Sequence, residues 1–211
     1  MSGDTILRVH ALAFAYTGQA ALFADFSARI GPGVTLIHGD TGSGKTTLLR
    51  LMAGAVAAAA GRFTLGGVAL GDNAEAYRHR VFYCDPTTDA FEQHTARDRT
   101  AVLAAGDTGF DSTGWQSLVD GFALAPHLDK PLYMLSTGSK RKTFLAAALA
   151  SGCPLVLLDE PTGGLDAASV ACLWNALARC AEQRDGRAVV VASTERVAKV
   201  AWTQVIDLGG P

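Results

Sequence analysis

Residues 39–47 read Gly-Asp-Thr-Gly-Ser-Gly-Lys-Thr-Thr and fit the pattern G-x-x-x-x-G-K-[ST]. The mostly apolar residues 34–37 lead into this stretch, and residues 47–52 have the composition of a helix that leads out of it. In a strand–loop–helix unit of this kind, the glycines let several backbone N–H groups point at one anion, and the helix adds its positive N-terminal end. The stretch therefore predicts a phosphate-binding loop rather than a chance glycine-rich turn.

Two side chains of this loop have specific expected tasks. The amine of Lys45 reaches the β- and γ-phosphates of a nucleotide, and the hydroxyl of Thr46 ligates Mg²⁺. The candidate nucleotide-binding residues of the loop are Gly39, Asp40, Thr41, Gly42, Ser43, Gly44, Lys45, Thr46 and Thr47.

Length and composition narrow the possible classes of protein. A chain of 211 residues with 49% hydrophobic residues suits one domain with a sizeable core. The formal net charge of −2 does not suggest a strongly basic nucleic-acid binder, so no nucleic acid partner is expected. No secretory signal is visible at the N-terminus, and no run approaches the ~18 apolar residues that a membrane helix needs. The cysteines have no C-x-x-C spacing and indicate buried, reduced thiols: Cys84, Cys153, Cys172 and Cys180.

Around the loop, the apolar pattern predicts two kinds of β-structure. Residues 5–16 and 22–30 are predicted antiparallel strands that precede the loop strand. Residues 63–70 are a predicted hairpin that turns at Gly66-Gly67, and residues 80–84 are a predicted buried strand.

The second half alternates helices with strands. Helical patches separated by glycines over residues 96–128 indicate a small helical lobe inserted between core strands. The further predicted helices are 140–150, 167–183 and 195–201, and the further predicted strands are 155–158, 188–192 and 205–208. We expect a single domain, with a core of residues 1–84 and 151–211 and a helical lobe at about 85–150.

Two acids follow the apolar residues 155–158. An acid at the carboxyl end of a buried parallel strand lies where α/β folds bind ligands. Asp159 is expected to hold Mg²⁺, through water, opposite Thr46, and Glu160 is expected to polarise the water that attacks the γ-phosphate. The alternative is a strand that ends in a solvated Asp-Glu turn, which the phosphate-binding loop upstream makes less favoured.

A third motif lies between the loop and the acidic strand. Residues 135–139 (Leu-Ser-Thr-Gly-Ser) precede a predicted helix, and alone they would be an ordinary helix cap. In this order, however, they resemble the Leu-Ser-Gly-Gly-Gln signature of the nucleotide-binding subunits of ATP-binding cassette (ABC) transporters. Residues 163–166 (Gly-Gly-Leu-Asp) resemble that family's D-loop, and Tyr16 stands where the family places an aromatic residue that stacks on adenine. The resemblance covers nearly the whole chain.

The resemblance implies a fold, cofactors and partners. The fold is an α/β P-loop NTPase: a RecA-like core with a mainly parallel sheet, an antiparallel β flank and a small inserted helical lobe. The cofactors are ATP and Mg²⁺. Two cassettes pair head to tail, so that Ser136 and Gly138 contact the γ-phosphate bound by the partner, while Asp166 couples the two sites. ATP-driven closure of this dimer powers transport through separate transmembrane permease subunits, with the cassette cytoplasmic and peripheral on the inner face of the cell membrane. The short chain is similar in size to the small ATPases of haem export and other minimal bacterial systems.

The sequence departs from the family pattern at two contact positions. Thr137 and Ser139 replace a glycine and the glutamine of the signature, and a β-branched residue makes positive φ or close phosphate approach harder. Thr194 takes the place of a histidine that contacts the γ-phosphate; it can donate a hydrogen bond but carries no charge and relays no proton as imidazole does. We include Thr194 with Glu160 and Lys45 as the candidate catalytic residues.

A third departure is the glutamine expected after the strand at residues 80–84. Cys84 or Asp85 falls at that position, and Gln93 and His94 are candidates to compensate. ATP and Mg²⁺ binding should survive these changes, with turnover slow or dependent on a partner. The chain could form a homodimer with weak turnover or pair with a complete cassette. Two other classes stay open: a soluble ABC ATPase outside transport, and an ATP-binding regulatory module with little turnover. The basic clusters 78–80 and 140–142 are interpreted as solvated surface, with the alternative that the second cluster faces a membrane subunit or a phosphate across the dimer.

Overall fold

The computed structural model describes residues 5–84, 91–107, 109–183 and 186–209, which form two β-sheets flanked by helices. The strands are β1 (Leu7–Ala15), β2 (Ala21–Ile30), β3 (Gly33–His38), β4 (Ala60–Leu65), β5 (Val68–Ala69), β6 (Val81–Cys84), β7 (Leu155–Asp159), β8 (Ala188–Ser193) and β9 (Gln204–Asp207). The helices are α1 (Lys45–Met52), α2 (Ala74–Arg78), α3 (Ala96–Gly106), α4 (Ser112–Gly121), α5 (Thr137–Ala150) and α6 (Ala167–Gln183), with short 3₁₀ turns at Ala125–His127 and Leu132–Met134.

The larger sheet is parallel and has the strand order β6-β7-β8-β3-β9. Its central strand β8 is buried along its whole length, as is usual where helices cover both faces of a parallel sheet. The register pairs Asp159 with Ala192 and His38 with Ser193, so β7, β8 and β3 end at the same edge. The segments that follow these three strands are therefore neighbours in space, although they are far apart in sequence.

The smaller sheet is antiparallel, with the order β2-β1-β4-β5. The predicted hairpin at Gly66-Gly67 is confirmed: both glycines have positive φ and join β4 to β5. The α/β class with an antiparallel flank, expected from the sequence, is thus the observed one.

Two apolar cores lie on opposite faces of the parallel sheet, as the alternation along β7 illustrates. Leu155 and Leu157 pack with α1 and the antiparallel sheet, whereas Val156 and Leu158 pack with residues of α4, α5 and α6. The second core also contains Leu118, Val119 and Phe122 from the α4 segment. The helices between β6 and β7 therefore share a core with the sheet.

One predicted helix is wrong. Residues 195–201 form a turn rather than a helix. The indole N–H of Trp202 donates to the carbonyl of Val197 (3.0 Å), and the hydroxyl oxygen of Ser193 accepts from the backbone N–H of Glu195 (3.0 Å). The Trp202 bond occupies a carbonyl that a helix would use, and the segment is too short to form a stable helix against this competition.

Candidate nucleotide-binding site

A pocket of about 670 Å³ opens at the edge where β3, β7 and β8 end. Its volume is within the range of small-molecule sites. The residues that line it are Tyr16, Gln19, Ala20, Ala21, Leu22, Thr41, Gly42, Gly44, Lys45, Thr46, Thr47, Glu160 and Thr194. The pocket thus brings together both predicted halves of the nucleotide site, from the loop after β3 and the acid after β7.

The loop itself depends on its glycines. Gly42 and Gly44 have φ of 89° and 95°, which side chains disfavour. A Cβ on Gly39 would lie 2.6 Å from the hydroxyl oxygen of Ser43 and 2.7 Å from the carbonyl oxygen of Leu208. Gly44 precedes α1 without any side-chain cap, so the first N–H groups of that helix are left for a ligand.

Lys45 links the loop to Glu160. Its side chain is 6% exposed, and its amine donates to the carbonyls of Gly39 (2.7 Å) and Asp40 (3.0 Å). The same amine lies 3.3 Å from Oε1 of Glu160, whose side chain is 41% exposed. Two of the three predicted catalytic residues are therefore in contact.

Asp159 has the properties of a cation ligand. It is 9% exposed, and its Oδ1 is buried without a hydrogen-bond partner. Burial raises the pKa of Asp159, against the lowering effect of a hydrogen bond from the Thr46 hydroxyl. A buried carboxylate oxygen without a partner, beside a hydroxyl, fits Mg²⁺, which usually takes one or two protein carboxylates and completes its shell with phosphate and water.

Asp159→Asn should stabilise the nucleotide-free protein against unfolding. It should also remove the dependence of nucleotide binding on Mg²⁺. The pKa of Asp159 is higher in the folded than in the unfolded state, so its ionised carboxylate destabilises the fold at pH values above the folded-state pKa. This destabilisation disappears as the pH falls from the folded-state pKa to the unfolded-state pKa. At neutral pH we expect the melting temperature to rise by a few degrees, as ~1 kcal/mol would produce in a chain of this size. Thermal unfolding across a pH series tests this, with Asp72→Asn as the exposed control. A lower melting temperature in Asp159→Asn at neutral pH would contradict it.

Glu160 has an unusual backbone. Its φ is 40°, a left-handed value that a non-glycine residue rarely adopts. Its N–H donates to the carbonyl of Ala192 at the end of β8 (2.9 Å). Strain of this kind persists where surrounding contacts enforce it, and it concentrates at functional sites.

Tyr16 and Thr194 line the pocket together with Glu160. Tyr16 is 43% exposed; its hydroxyl lies 2.8 Å from the hydroxyl of Thr47, and its ring packs edge-on against Phe14 with centroids 5.0 Å apart. Its ring is therefore held in place with a surface free for a flat ligand. Thr194 is exposed in the segment directly after β8.

Ser136, Gly138 and Asp166 do not line this pocket. The α5 helix begins at Thr137, earlier than predicted, and the hydroxyl of Ser136 caps it by accepting from the N–H of Ser139 (3.1 Å). A Cβ on Gly138 would lie 2.8 Å from the carbonyl oxygen of Gly164, so these segments are in close contact. Thr137 is not among the positive-φ residues, so its β-branched side chain does not meet the backbone difficulty that a positive φ would bring.

Asp166 is held within its own chain. Its carboxylate lies 2.6 Å from the amine of Lys142 and accepts from the N–H (2.8 Å) and the hydroxyl (3.0 Å) of Ser169 in the first turn of α6. The Lys142 contact, followed by those of Ser169, holds the pKa of Asp166 well below its usual range. Within one chain, this residue connects the starts of α5 and α6.

Comparison with known proteins identifies the family and the fold. The family model described as ABC transporter matches residues 24–163. The chain belongs to the ABC transporter family. It is 40% identical to the cytochrome c biogenesis ATP-binding export protein CcmA of Rhodospirillum rubrum over 90% of this chain and 81% of that protein. It is 34% identical to the protein of the same name from Pseudomonas aeruginosa over 91% of this chain and 94% of that protein.

A solved structure of an ATP-binding subunit of an ABC transporter superposes with a TM-score of 0.75 at 26% identity, over 90% of this chain and 79% of that one. The chain is thus an ABC transporter ATP-binding subunit with the P-loop fold. Subunits of this family in general bind ATP with Mg²⁺ and usually pair with membrane permease subunits. No helix in the described residues is long and apolar enough to cross a membrane.

The interpretation as solvated surface is wrong for the basic cluster 140–142, whose side chains are half-buried and paired, whereas in the cluster 78–80 Arg78 and His79 are exposed, as that interpretation expects. In α5, Lys140 forms an ion pair with Glu92 (2.6 Å), Lys142 pairs with Asp166, and Arg141 donates to backbone carbonyls. In the other cluster, Arg78 donates to the carbonyl of Gly54 and Arg80 to that of Gly66. Sequence analysis missed Arg141 and the pocket segment at residues 19–22, because no local motif marks either.

The position of the missing ABC glutamine lies outside what the structure describes: Asp85 and the side chain of Cys84 are both undescribed. Gln93 and His94 are exposed and do not line the pocket, so nothing here supports the idea that they compensate. Within the described residues, Cys153, Cys172 and Cys180 form no disulfide bond, and they are half-buried rather than fully buried.

Proposed function

We propose that this chain binds Mg²⁺-ATP in the pocket and hydrolyses it. The observation that carries the proposal is the convergence of Lys45 and Glu160, 3.3 Å apart, beside a buried Asp159 oxygen that lacks a partner. A phosphate that enters the loop would take over the Lys45 amine from the Gly39 and Asp40 carbonyls, because a cation binds an anionic oxygen more strongly than a neutral carbonyl.

The pocket residues divide the chemistry among them. Lys45 and the loop N–H groups hold the β- and γ-phosphates, and the ring of Tyr16 supports the adenine. Asp159 and Thr46 would hold Mg²⁺, which neutralises phosphate charge when it is bound. Glu160 accepts the proton of the attacking water, and Thr194 donates a hydrogen bond to the γ-phosphate. Because threonine cannot carry charge, we expect slow turnover.

The site is completed by a second copy of the chain. Ser136, Gly138 and Asp166 lie outside the pocket of their own chain, so they serve the ATP held by a partner in a head-to-tail dimer. One chain has an intact loop, both acids and a signature segment. Two identical copies can therefore build two equivalent sites around a two-fold axis.

The work of this dimer is transport. Its closure on ATP and reopening after hydrolysis would drive separate transmembrane permease subunits, with the chain cytoplasmic and peripheral on the inner membrane face. Because the relatives from R. rubrum and P. aeruginosa are named as export proteins of cytochrome c biogenesis, we assign this chain to export in that process.

Phosphate release by the purified chain, measured with Mg²⁺-ATP over a series of protein concentrations, tests the proposal. We expect the rate per chain to rise with concentration, because each complete site needs two copies. A constant rate per chain would contradict the shared site. Tight ATP binding without phosphate release at any concentration would favour the regulatory module, the alternative that Thr194 in place of histidine supports.

A further inference from the structure

The guanidinium group of Arg141, in the first turns of α5, bonds to the turn that carries Glu160. Its Nη1 donates to the carbonyl of Glu160 (3.0 Å) and to the carbonyl of Gly163 (2.6 Å). Arg141 therefore connects the helix that begins at the signature segment directly to the backbone of the proposed general base.

The two carbonyls belong to the first and last residues of one tight turn. The N–H of Gly163 donates to the carbonyl of Glu160 (3.1 Å), which closes the turn from inside, and Arg141 holds it from outside. The left-handed φ of Glu160 is a backbone conformation that is unfavourable for a residue with a side chain. The turn therefore needs external contacts to keep this backbone, and the backbone sets the direction of the Glu160 carboxylate.

Gly163 is matched to this arrangement. A Cβ at this position would collide with Nη1 of Arg141. Gly163 is not among the positive-φ glycines, so it leaves room for the guanidinium rather than providing a special backbone conformation. An alanine here can be accommodated if the flexible arginine moves away from both carbonyls.

We propose that Arg141 is a positioning residue for Glu160: it holds the turn 160–163 so that the carboxylate faces the pocket beside Lys45. This inference rests on the proposed hydrolysis. Two carbonyl dipoles point at one cation, and without that cation they lose a charge-assisted bond that fixes both ends of the turn. The neighbouring Lys140 pairs instead with Glu92, away from this turn, and provides a matched control.

The test compares Arg141→Ala, Gly163→Ala and Lys140→Ala in steady-state ATP hydrolysis. We expect kcat to fall about tenfold to a hundredfold in the first two, with KM for ATP unchanged, because small misplacement of a reacting group has effects of this size. Lys140→Ala should keep the wild-type kcat, and Arg141→Lys, which can reach one carbonyl, should recover part of it. A wild-type kcat in Arg141→Ala would overturn the proposal.

A double variant separates positioning from other roles. In a Glu160→Gln background, Arg141→Ala should have no further effect on the residual rate, because the group it orients is already inactive. A further fall would show that Arg141 acts elsewhere and would overturn the assignment.

Hydrogen exchange keeps this test independent of turnover. Arg141→Ala should speed amide exchange in a peptide covering residues 160–165, while Lys140→Ala should not. If the wild type does not hydrolyse ATP, the proposed function fails, and this readout then decides the positioning role alone. Unchanged exchange in Arg141→Ala would overturn it.

Discussion

Glu160→Gln should lower the rate of ATP hydrolysis by at least about a hundredfold, the range expected when a general base is lost. Glutamine has nearly the same shape and can keep the left-handed turn, but it cannot accept the proton of the attacking water. ATP should still bind, because Lys45, Thr46 and Asp159 are unchanged. In light scattering, the variant with Mg²⁺-ATP should have twice the 21.9 kDa mass of the chain, because closed dimers are no longer opened by hydrolysis.

The control for this variant is Glu75→Gln, which neutralises an exposed glutamate on α2 that lies 3.8 Å from His79 and does not line the pocket. It should keep the wild-type rate. If Glu160→Gln also hydrolyses ATP at the wild-type rate, Glu160 is not the base, and the catalytic assignment is wrong.

Lys45→Met should weaken ATP binding by about thirtyfold or more, because losing one member of a buried charge contact costs roughly 2–5 kcal/mol. Methionine fills the buried path of the lysine stem with little change in volume, so the fold should be kept. The carbonyls of Gly39 and Asp40 lose their donor, and a bound phosphate loses its cation.

Calorimetric titration with ATP measures this loss directly. Lys140→Met removes a paired lysine of α5 that does not line the pocket, and it should bind ATP like the wild type. Equal affinity of Lys45→Met and the wild type for ATP would mean that the phosphates do not bind at Lys45, and it would contradict the proposed site.

The phosphate loop could be predicted from sequence because its requirements are local. Gly42 and Gly44 take positive φ, and the strand and helix that they join are adjacent in the chain. The acids after β7 could be predicted for a related reason: in a parallel sheet, strand ends share an edge, so Asp159 and Glu160 had to lie near the loop if β7 was a central strand.

The features that sequence missed depend on long-range contacts. The partners of Arg141 lie 19 and 22 residues away, and Lys140 meets Glu92 across 48 residues. Nothing in a run of lysine and arginine indicates such partners. Residues 195–201 are a further example. Their sequence favours a helix, and the competing hydrogen bond from Trp202 forms only once the chain has folded.

Thr137 and Thr194, two departures from the ABC pattern, should have different effects on the protein. Thr137 begins α5 without positive φ, so a β-branched residue fits there without backbone strain. Thr194 is in the pocket as predicted, yet a hydroxyl cannot replace the charge of a protonated imidazole. The expected consequence is slow chemistry at the proposed ATP site.

Each ATP site is proposed to be shared between two copies of this chain, and mixing two variants that damage different halves of the site tests this sharing. Lys45→Met removes the loop's cation but keeps the signature segment. Ser136→Asp keeps the cap of α5, since aspartate is as good a cap as serine, but it places a negative charge against the partner's γ-phosphate. Ser136→Asn caps without the charge and serves as the control.

Lys45→Met alone and Ser136→Asp alone should each be inactive. Their equimolar mixture should recover about a quarter of the wild-type rate, because half of randomly formed dimers are mixed and each mixed dimer holds one complete site of two. A mixture no more active than its separate components, beside an active wild type, would contradict the shared site.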